Sequence, residues 1–500
     1  MSTKPHVGII GAGFSGLSCA DVLLQNGVQV TILEARDRIG GRVHQREVGG
    51  HLVDLGPNWI HGAEANPIMH IADATQTVTH DPEGRNIAIS RTGHLVGEDS
   101  VNKAWEFLWG TIEQAFEYSS QHGDRIPPEQ SLYDFFQEKV KQSTFSGEEK
   151  QLFLDLCKIW GIYTGDPIER QSLKFFFLEE VIDGANYFVA STYKRILEYV
   201  SRAAVSQADI RFNQAVVSID APPRDNKQHR DRITVTTSTG ERYSFDEVVV
   251  TCPLGWLQQN TEAFSPALPH RLLEAIRSIS YGRLEKVYVT FPRAFWHTDS
   301  TPNTSYQHAY GETNESNSAQ NPMYTTSFLE PSYADHPAGL EWTQECFSLA
   351  ILPTPCAHPT LLFYTYGPCS THIVEQIASL DPSSSEYRNI LVNFFEPFYS
   401  RLEGYDVTSP DCIPTAVMAT RWQKDPYAGN GSYCNFQVGL AQADKDIEVL
   451  RSGAGVGAER GLWFAGEHTA PFKSLGTTTG AYLSGERAAA RICETVGINS

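Results

Sequence analysis

The sequence has no CxxC pair, and its nine cysteines lie far apart, at positions 19, 157, 252, 346, 356, 369, 412, 434 and 493. None of these spacings is typical of a metal site, and in a chain of 500 residues the pattern favours free thiols in a reducing compartment. We therefore predict no metal and a cytoplasmic location. The chain ends in Ile-Asn-Ser rather than Ser-Lys-Leu, so a peroxisomal location stays open without a clear signal.

Basic residues are also few, because 39 Lys and Arg stand against 59 Asp and Glu, which gives a formal net charge of −20 at pH 7. Nucleic-acid binding depends on neutralising phosphates, so this balance argues against a nucleic-acid partner. An acidic surface can concentrate cationic substrates, although it is more often only a solubility trait. Nothing in the composition indicates an oligomeric state.

One stretch without charge, Phe347 to Val374, has the length of a membrane span, but four prolines interrupt it. A spanning helix could not run through them. We predict instead two buried strands, Phe347–Leu352 and Leu361–Tyr366, joined by a Pro-rich turn. The early apolar run from Val7 is broken by glycines and is not a signal peptide, so no membrane partner is predicted. The sequons at Asn303, Asn314 and Asn430 are then read as chance matches.

Apolar spacing predicts α/β character at both ends of the chain and a largely helical segment after Asp81. The predicted strands are His6–Ile10, Val28–Leu33, Val216–Ile219, Ile233–Thr237, Glu247–Thr251 and Leu462–Gly466. The predicted helices are Ser15–Asn26, Val101–Gln121, Ser131–Val140, Gly147–Tyr163, Tyr193–Ala204 and one that begins near Thr478. The hydrophilic segment 297–321 is predicted to be a surface loop.

A Gly-rich turn joins the first predicted strand to the first predicted helix. In Gly11-Ala-Gly13-Phe-Ser-Gly16, Gly11 allows a tight turn, Gly13 leaves room for a pyrophosphate and Gly16 lets helix and strand approach. The helix N-terminus then offers unpaired N–H groups to the phosphates. Glu34 ends the next strand, at the distance expected for a residue that accepts the ribose hydroxyls. Together these features predict a dinucleotide site.

A second turn follows at once and narrows the choice of dinucleotide. The run from Glu34 to Arg42 adds Gly40 and Gly41 for close backbone approach, and Arg42 for a phosphate. An enzyme that binds only NAD does not need this second phosphate-facing turn.

With the motifs further along, this run resembles the FAD-containing amine oxidases, which include monoamine oxidases, polyamine oxidases and lysine-specific histone demethylases. The matching blocks are 34–42, Asp54-Leu-Gly-Pro-Asn-Trp-Ile-His-Gly62, 249–256, 284–289, 462–469 and 476–485. They span both ends of the chain, whereas residues 85–200 and 295–410 match loosely. The resemblance implies an α/β fold in which a Rossmann-like FAD-binding domain (1–80, 205–270 and 415–500) is interleaved with an α+β substrate-binding domain (81–204 and 271–414).

The resemblance also implies roles for individual residues around FAD. The ADP half would be held by the Gly-rich turn with Glu34 and Arg42, the adenine by the backbone of Val216, and the ribityl or pyrophosphate segment by Glu467. The full set of predicted cofactor-binding residues is Gly11, Gly13, Phe14, Ser15, Gly16, Glu34, Ala35, Arg36, Gly41, Arg42, Gly56, Pro57, Asn58, Trp59, Val216, Trp422, Gly466, Glu467, Thr477 and Thr478.

The chemistry implied is hydride transfer from the α-carbon of an amine to flavin N5, hydrolysis of the imine to an aldehyde and an amine, and reoxidation by O2 with release of H2O2. Lys286 matches the family lysine that promotes the reaction with oxygen, and a lysine among the apolar residues of a strand is unusual in itself. Tyr433 matches one wall of an aromatic cage around the amine. His61 matches the position of animal-type polyamine oxidases, where plant-type enzymes carry Glu.

Two departures from the monoamine oxidases bear on the cofactor and the substrate. Their second cage tyrosine aligns with Thr477, and their flavin-bonded cysteine aligns with Ser432, with Cys434 two residues further on. We therefore predict noncovalent FAD and a polyamine or N-acetylpolyamine substrate. An oxidase of another specialised amine or amino acid remains an alternative, as does a non-catalytic flavin-binding scaffold. A histone demethylase or an FAD desaturase fits less well, because a tower insertion is missing and Lys286 is present.

Overall fold

The computed structural model describes residues 5–81, 84–224, 232–297, 323–337, 339–340 and 342–498. The predicted surface loop after His297 and the sequons at Asn303 and Asn314 lie outside these residues. Within them, no helix is long and apolar enough to cross a membrane, and no group of His, Cys, Asp and Glu could hold a metal ion. All nine cysteines are described, and all are free.

The strands are numbered along the described chain. They are β1 His6–Ile10, β2 Gln29–Leu33, β3 Gln45–Val48, β4 His51–Asp54, β5 Trp59–Ile60, β6 Thr79–His80, β7 Arg85–Ile89, β8 Tyr187–Val189, β9 Asp209–Arg211, β10 Val216–Asp220, β11 Ile233–Thr237, β12 Arg242–Phe245, β13 Glu247–Val250, β14 Phe264–Ser265, β15 Ser280–Tyr281, β16 Glu285–Thr290, β17 Met323–Phe328, β18 Gln344–Ser348, β19 Thr360–Thr365, β20 Ala416–Ala419, β21 Cys434–Asn435 and β22 Leu462–Phe464.

The α-helices are numbered in the same way. They are α1 Phe14–Gln25, α2 Pro67–Ala74, α3 Glu98–His122, α4 Leu132–Gln142, α5 Gly147–Cys157, α6 Gly161–Thr164, α7 Lys194–Gln207, α8 Leu254–Gln259, α9 His270–Ser278, α10 Gly367–Ile377, α11 Ser385–Tyr399, α12 Ala443–Ser452, α13 Gly457–Arg460 and α14 Thr478–Val496.

A five-stranded parallel sheet has the order β22-β13-β1-β2-β9, so its strands come from three distant parts of the sequence. Helices α1 and α14 pack side by side, and Ser15 Oγ lies 3.1 Å from Ser484 Oγ. Small residues permit this approach, because a Cβ on Gly485 would stand 2.1 Å from the carbonyl oxygen of Ser15. Parallel strands joined through helices give the predicted Rossmann-like architecture.

A six-stranded mixed sheet has the order β20-β16-β19-β18-β17-β7, antiparallel except for the parallel pair β17 and β7. The smaller sheets are β12-β11-β10-β14, β5-β8-β6, β3-β4 and β15-β21. The predicted α/β fold class, with a mixed sheet flanked by helices, is confirmed. The assignment of the residue ranges to two interleaved domains stays a prediction.

Two predicted elements differ from the structure. Phe347–Leu352 is wrong as a strand, because β18 begins earlier and Leu349–Ile351 form a 3-10 turn. The strand passes through Glu345, a charge that the sequence pattern treats as a break and that the fold buries. Gly147–Tyr163 is not one helix, since a 3-10 turn at Lys158–Trp160 separates α5 from α6. The turn brings Gly161 against Tyr366, where a Cβ would stand 2.3 Å from the ring.

Candidate active site

A cavity of about 750 Å³ lies between the carboxyl ends of the parallel sheet and one face of the six-stranded sheet. Ligand cavities in proteins commonly span roughly 300–1,000 Å³. Every predicted cofactor-binding or catalytic residue lines this cavity, with the exception of Gly16. The structure therefore brings together residues that lie up to 467 positions apart, from Gly11 to Thr478.

The Gly-rich turn forms one end of the cavity. Gly11 has a φ of +106°, which favours glycine, whereas a Cβ on Gly13 would meet nothing within 4 Å. Gly16 does not line the cavity because it faces the turn, where a Cβ would stand 2.1 Å from the carbonyl oxygen of Gly11. Helix α1 then begins at Phe14 without a side-chain cap. Its first N–H groups are thus available to an anion in the cavity.

Glu34 lies beside this turn and is almost fully buried. Its carboxylate accepts hydrogen bonds from the backbone N–H of Ala12 (2.7 Å) and of Arg36 (2.9 Å). Arg36 in turn pairs with both oxygens of Asp425, at 3.0 and 2.9 Å. These contacts fix the carboxylate at the cavity edge, next to Ala35 and Val216.

Arg42 connects three separate parts of the chain beside the cavity. Its guanidinium donates to the carbonyl of Ser432 (2.6 Å), to the hydroxyl of Tyr281 (3.0 Å) and to the carboxylate of Glu467 (3.1 Å). Burial acts to raise the pKa of Glu467, but Arg42 and His468 hold it below its ordinary value. Glu467 is therefore ionised, and Arg42 supplies the matching positive charge.

These features fit FAD. The open space at Gly13 and the uncapped start of α1 leave backbone donors facing a long cavity, which Gly41, Gly56 and Gly466 also line. Pyrophosphate groups are bound in this way at helix N-termini. The remaining predicted residues, Phe14, Ser15 and Pro57, line the same region.

Lys286 is the second residue of β16, with only 5% of its surface exposed. Its ammonium donates to the carbonyl of Gly56 and lies 5.5 Å from the centre of the Tyr364 ring. Burial lowers the pKa of Lys286, and the neighbouring Asp54 acts against this shift. Burial likewise raises the pKa of Asp54, which accepts hydrogen bonds from Gln45 and from the backbone of Tyr193.

The strand register aligns Lys286 with other polar side chains. Lys286 pairs with Tyr364, Tyr364 with Glu345 and Glu345 with Ser327 across β16, β19, β18 and β17. Residues paired in register share a face of the sheet. The Tyr364 hydroxyl donates to Asn58 (2.8 Å) and accepts from Trp59 Nε1 (3.3 Å). A polar row on the sheet thus holds two predicted cofactor-site residues.

His61 and Tyr433 lie on other walls of the cavity. Burial lowers the pKa of His61 to about 4, so its imidazole is neutral at physiological pH. The side chain of Asn186 accepts a hydrogen bond from the adjacent Gly62 N–H (2.9 Å) and also interacts with the His61 ring. The Tyr433 hydroxyl donates to the carbonyl of Tyr163 (2.7 Å), which fixes the ring in the wall.

Thr477 and Thr478 occupy the start of α14. Thr477 is the N-cap, since its hydroxyl accepts from the N–H of Gly480 (2.9 Å). The Thr478 hydroxyl lies 3.2 Å from that of Tyr193. Thr477 therefore serves as the N-cap of α14, a role that favours threonine.

Several cavity residues were not predicted from the sequence. They come from the loosely matched middle of the chain and include Trp109, Glu113, Phe116, Trp160, Tyr163, Glu179, Glu180, Asp183 and Tyr364. The first three carried a signal, because spacings of four and three residues place them on one face of α3. The others come from turns and from separate strands, and only the tertiary fold brings them together.

Comparisons with known proteins agree with this geometry. The family described as flavin containing amine oxidoreductase matches residues 14–493. Polyamine oxidase 3 of Oryza sativa subsp. japonica is 26% identical over 505 residues, covering 98% of this chain and 89% of that protein. The peroxisomal N(1)-acetyl-spermine/spermidine oxidase of Homo sapiens is 26% identical over 528 residues, covering 98% and 94%.

A solved structure shares the fold. It is a redesigned double mutant of putrescine oxidase, which matches with a TM-score of 0.66 and 17% identity over 99% of each chain. The family match covers nearly the whole sequence, and the predicted cofactor-binding residues extend from Gly11 to Thr478. The chain therefore belongs to the flavin-containing amine oxidoreductase family, and its cofactor is FAD.

Proposed function

We propose that this protein oxidises a polyamine or N-acetylpolyamine, with O2 as the electron acceptor and an aldehyde, a shorter amine and H2O2 as products. Bound FAD supplies the hydride acceptor. The protein's own residues would hold the extended cation, keep the reacting nitrogen neutral and exclude water. The chamber beyond the predicted cofactor residues supports this substrate class.

The proposal depends most on the position of Glu179 in the cavity and on its surroundings. Its carboxyl group lines the cavity and accepts from Gln171 Nε2 (3.2 Å) and the N–H of Phe436 (3.3 Å). Within the described residues, no Lys or Arg forms an ion pair with it. Burial raises the pKa of Glu179 to about 7. A substrate ammonium beside this carboxyl group would supply the missing partner and favour its ionised form.

The surrounding charges favour a cation over an amino acid. Glu113, Glu180 and Asp183 also line the cavity, and one half-exposed cation, Lys473, pairs with both Glu180 (3.7 Å) and Asp183 (3.1 Å). The arginines that line it, Arg36 and Arg42, are already paired with Asp425 and Glu467. An amino-acid substrate would bring a carboxylate towards this acidic chamber without a free guanidinium to receive it, so the amino-acid alternative is disfavoured.

Aromatic walls suit the rest of a polyamine. The rings of Trp109, Trp160 and Tyr163 contact one another at centroid distances of 5.1–6.4 Å. Such rings pack against methylene chains and attract ammonium groups through their faces. Tyr433 is hydrogen-bonded to this group through the Tyr163 carbonyl.

We assign three residues to the reaction itself. Lys286 would promote the reaction with oxygen, Tyr433 would flank the amine, and His61, being neutral, would accept a hydrogen bond on the amine path. FAD would be bound noncovalently, because position 432 is serine and burial raises the pKa of Cys252 and Cys434, the thiols at the cavity. Cytoplasm remains our proposed location, and the nine free cysteines support it.

A panel of amines tests the substrate class. Anaerobic bleaching of the flavin is measured with spermine, spermidine, their N-acetyl forms, putrescine and simple monoamines. We expect bleaching with the polyamines at far lower concentrations than with the monoamines. Efficient bleaching by monoamines alone would refute the polyamine assignment, and no bleaching by any amine would favour the non-catalytic scaffold.

The variant Glu179→Gln tests whether the Glu179 carboxylate binds an ammonium group of the substrate. We expect kcat/KM for a polyamine to fall roughly 10- to 150-fold, since a hydrogen bond to a charged group contributes about 1.5–3 kcal/mol. The value for a monoamine should change little. Glu117→Gln removes the same charge from an exposed position on α3 and is the matched control. Equal losses for both substrate types would contradict the role of Glu179.

A further inference from the structure

Glu285 precedes Lys286 on β16, and consecutive strand residues point to opposite faces of the sheet. Lys286 lines the cavity, whereas Glu285 does not and is only 1% exposed. Within the described residues, Glu285 forms no ion pair with Lys or Arg. A buried carboxylate without a cation beside it must be stabilised by hydrogen-bond donors. The residues that supply these donors indicate which part of the protein the carboxylate holds in place.

All the donors to Glu285 come from one turn. The Thr420 hydroxyl and the N–H of Trp422 (3.0 Å) bind one carboxylate oxygen, while the N–H of Gln423 (2.8 Å) binds the other. The carboxylate therefore holds the backbone of residues 420–423 against β16.

The same turn is joined to Lys286 through its backbone. The N–H of Lys286 donates to the Thr420 hydroxyl (2.8 Å), and the N–H of Thr420 donates to the Lys286 carbonyl (2.9 Å). Thr420 thus connects the strand that carries Lys286 to the turn that carries Trp422.

The side chains of Lys286 and Trp422 meet again on the far side. Trp422 Nε1 donates to the carbonyl of Leu55 (3.2 Å), and the Lys286 ammonium donates to the carbonyl of Gly56, the next residue. Both side chains line the cavity. The contacts therefore form a closed ring that runs from β16 to the turn 420–423, through the Trp422 indole to the backbone of residues 55–56, and back to the Lys286 ammonium. Glu285 connects the strand to the turn on the side that does not line the cavity.

We infer that Glu285 is a positioning residue, which sets the Trp422 indole and the Lys286 ammonium in a fixed relation to each other at the flavin. The inference rests on the proposed roles of Lys286 and Trp422 beside FAD. It does not depend on which amine is the substrate.

The test uses the FAD-loaded enzyme and four variants, two of which are controls. Glu285→Gln places an amide NH2 group, itself a donor, where the turn presents only donors. Some of the hydrogen bonds that hold residues 420–423 against β16 are therefore lost. Thr420→Val removes one donor to Glu285 and the acceptor of the Lys286 N–H, and it leaves the two backbone bonds to Glu285. Thr420→Ser restores the hydroxyl. The control for a general loss of stability is Glu247→Gln, because Glu247 on β13 forms a buried ion pair with Arg224 that this change weakens.

Two readouts avoid the amine altogether. These are the visible circular dichroism of bound FAD and the rate at which chemically reduced enzyme is reoxidised by O2. We expect Glu285→Gln and Thr420→Val to change the circular dichroism and to slow reoxidation roughly 10- to 100-fold, as for a group displaced by about 1 Å. Thr420→Ser and Glu247→Gln should resemble the parent enzyme in both.

If Glu285→Gln does not fold, Thr420→Val decides the question. Unchanged circular dichroism and reoxidation in a folded variant would show that Glu285 stabilises the fold without positioning the two side chains, and would overturn the inference. If Lys286→Met leaves reoxidation unchanged but Thr420→Val still alters the circular dichroism, the proposed role of Lys286 fails while the positioning of Trp422 stands.

Discussion

Replacing Lys286 with methionine removes an ammonium group and keeps an unbranched side chain of similar length. The site is buried, and the ammonium contacts the Gly56 carbonyl and the Tyr364 ring. Methionine fills nearly the same space, so we expect no cavity and no loss of folding. Removing the buried charge removes its desolvation penalty but leaves Asp54 and the Gly56 carbonyl without this cation, so we expect the Tm to fall by no more than a few degrees.

The expected effect falls on the reaction with oxygen. Because Lys286 is fixed by the fold and shielded from water, its charge acts without reorganisation on the negative charge that forms during oxygen reduction. Preorganised donors in such sites contribute about 2.7–4 kcal/mol, or roughly a factor of 10²–10³ in rate. The reoxidation rate constant of Lys286→Met should fall by about this factor, whereas anaerobic reduction by amine should change only a few-fold.

Stopped-flow mixing of the reduced enzyme with oxygenated buffer measures this rate through the absorbance of oxidised flavin. Lys158→Met provides a matched control, since Lys158 is also largely buried and pairs with Glu330 but does not line the cavity. Its reoxidation should equal that of the parent enzyme. A Lys286→Met rate within twofold of the parent, with folding intact, would refute the reasoning.

Three further predictions concern the cofactor and the fold. Gly13→Leu should abolish FAD binding in titration calorimetry while the apoprotein keeps its Tm, since a Cβ there meets nothing within 4 Å. Gly16→Ala should instead lower the Tm of the apoprotein, because the added Cβ would contact the carbonyl of Gly11. The opposite pattern would contradict this assignment. Acid precipitation should release all the flavin into the supernatant because Ser432 offers no thioether link, and flavin in the pellet would show a covalent bond. Burial lowers the pKa of His61 and His468 to about 4, below the value of about 6.5 in an unfolded chain, so the unfolded state binds protons first. The contribution of these two histidines to the free energy of unfolding should therefore be full above about pH 6.5 and be lost towards pH 4. The difference in that free energy between the parent and a His61→Gln, His468→Gln variant, measured by urea titration, should fall as the pH is lowered through this window, and a constant difference would be inconsistent with those shifts.

The cofactor end could be predicted from the sequence because its function depends on local backbone shape. A turn such as Gly11–Gly16 encodes the path of the chain, the start of α1 and the space for a ligand within six residues. The C-terminal motif around Glu467 and Thr478 does the same for a second turn and for α14. Such motifs are recognisable even when distant parts of the chain complete the site.

The substrate end could not be predicted in this way. Glu179 lies in a 3-10 turn, and Tyr364 lies in strand β19. Whether these residues line the cavity depends on which face of the sheet or turn meets it. Packing between parts of the chain that are far apart in sequence decides this. The helix face of α3 is the exception, since regular spacing places Trp109 and Glu113 on the same side.

The parallel sheet has a consequence for synthesis of the protein. Its central strand, β1, lies beside β13, and β13 pairs with β22, which ends 454 residues after the end of β1. At translation rates of about 5–20 residues per second, the N-terminal strand leaves the ribosome roughly 20–90 seconds before β22, the last strand of the same sheet. During that interval the nascent chain exposes apolar edges that a chaperone could shield, and a ribosome that stalls before β22 would release a polypeptide without a complete nucleotide fold.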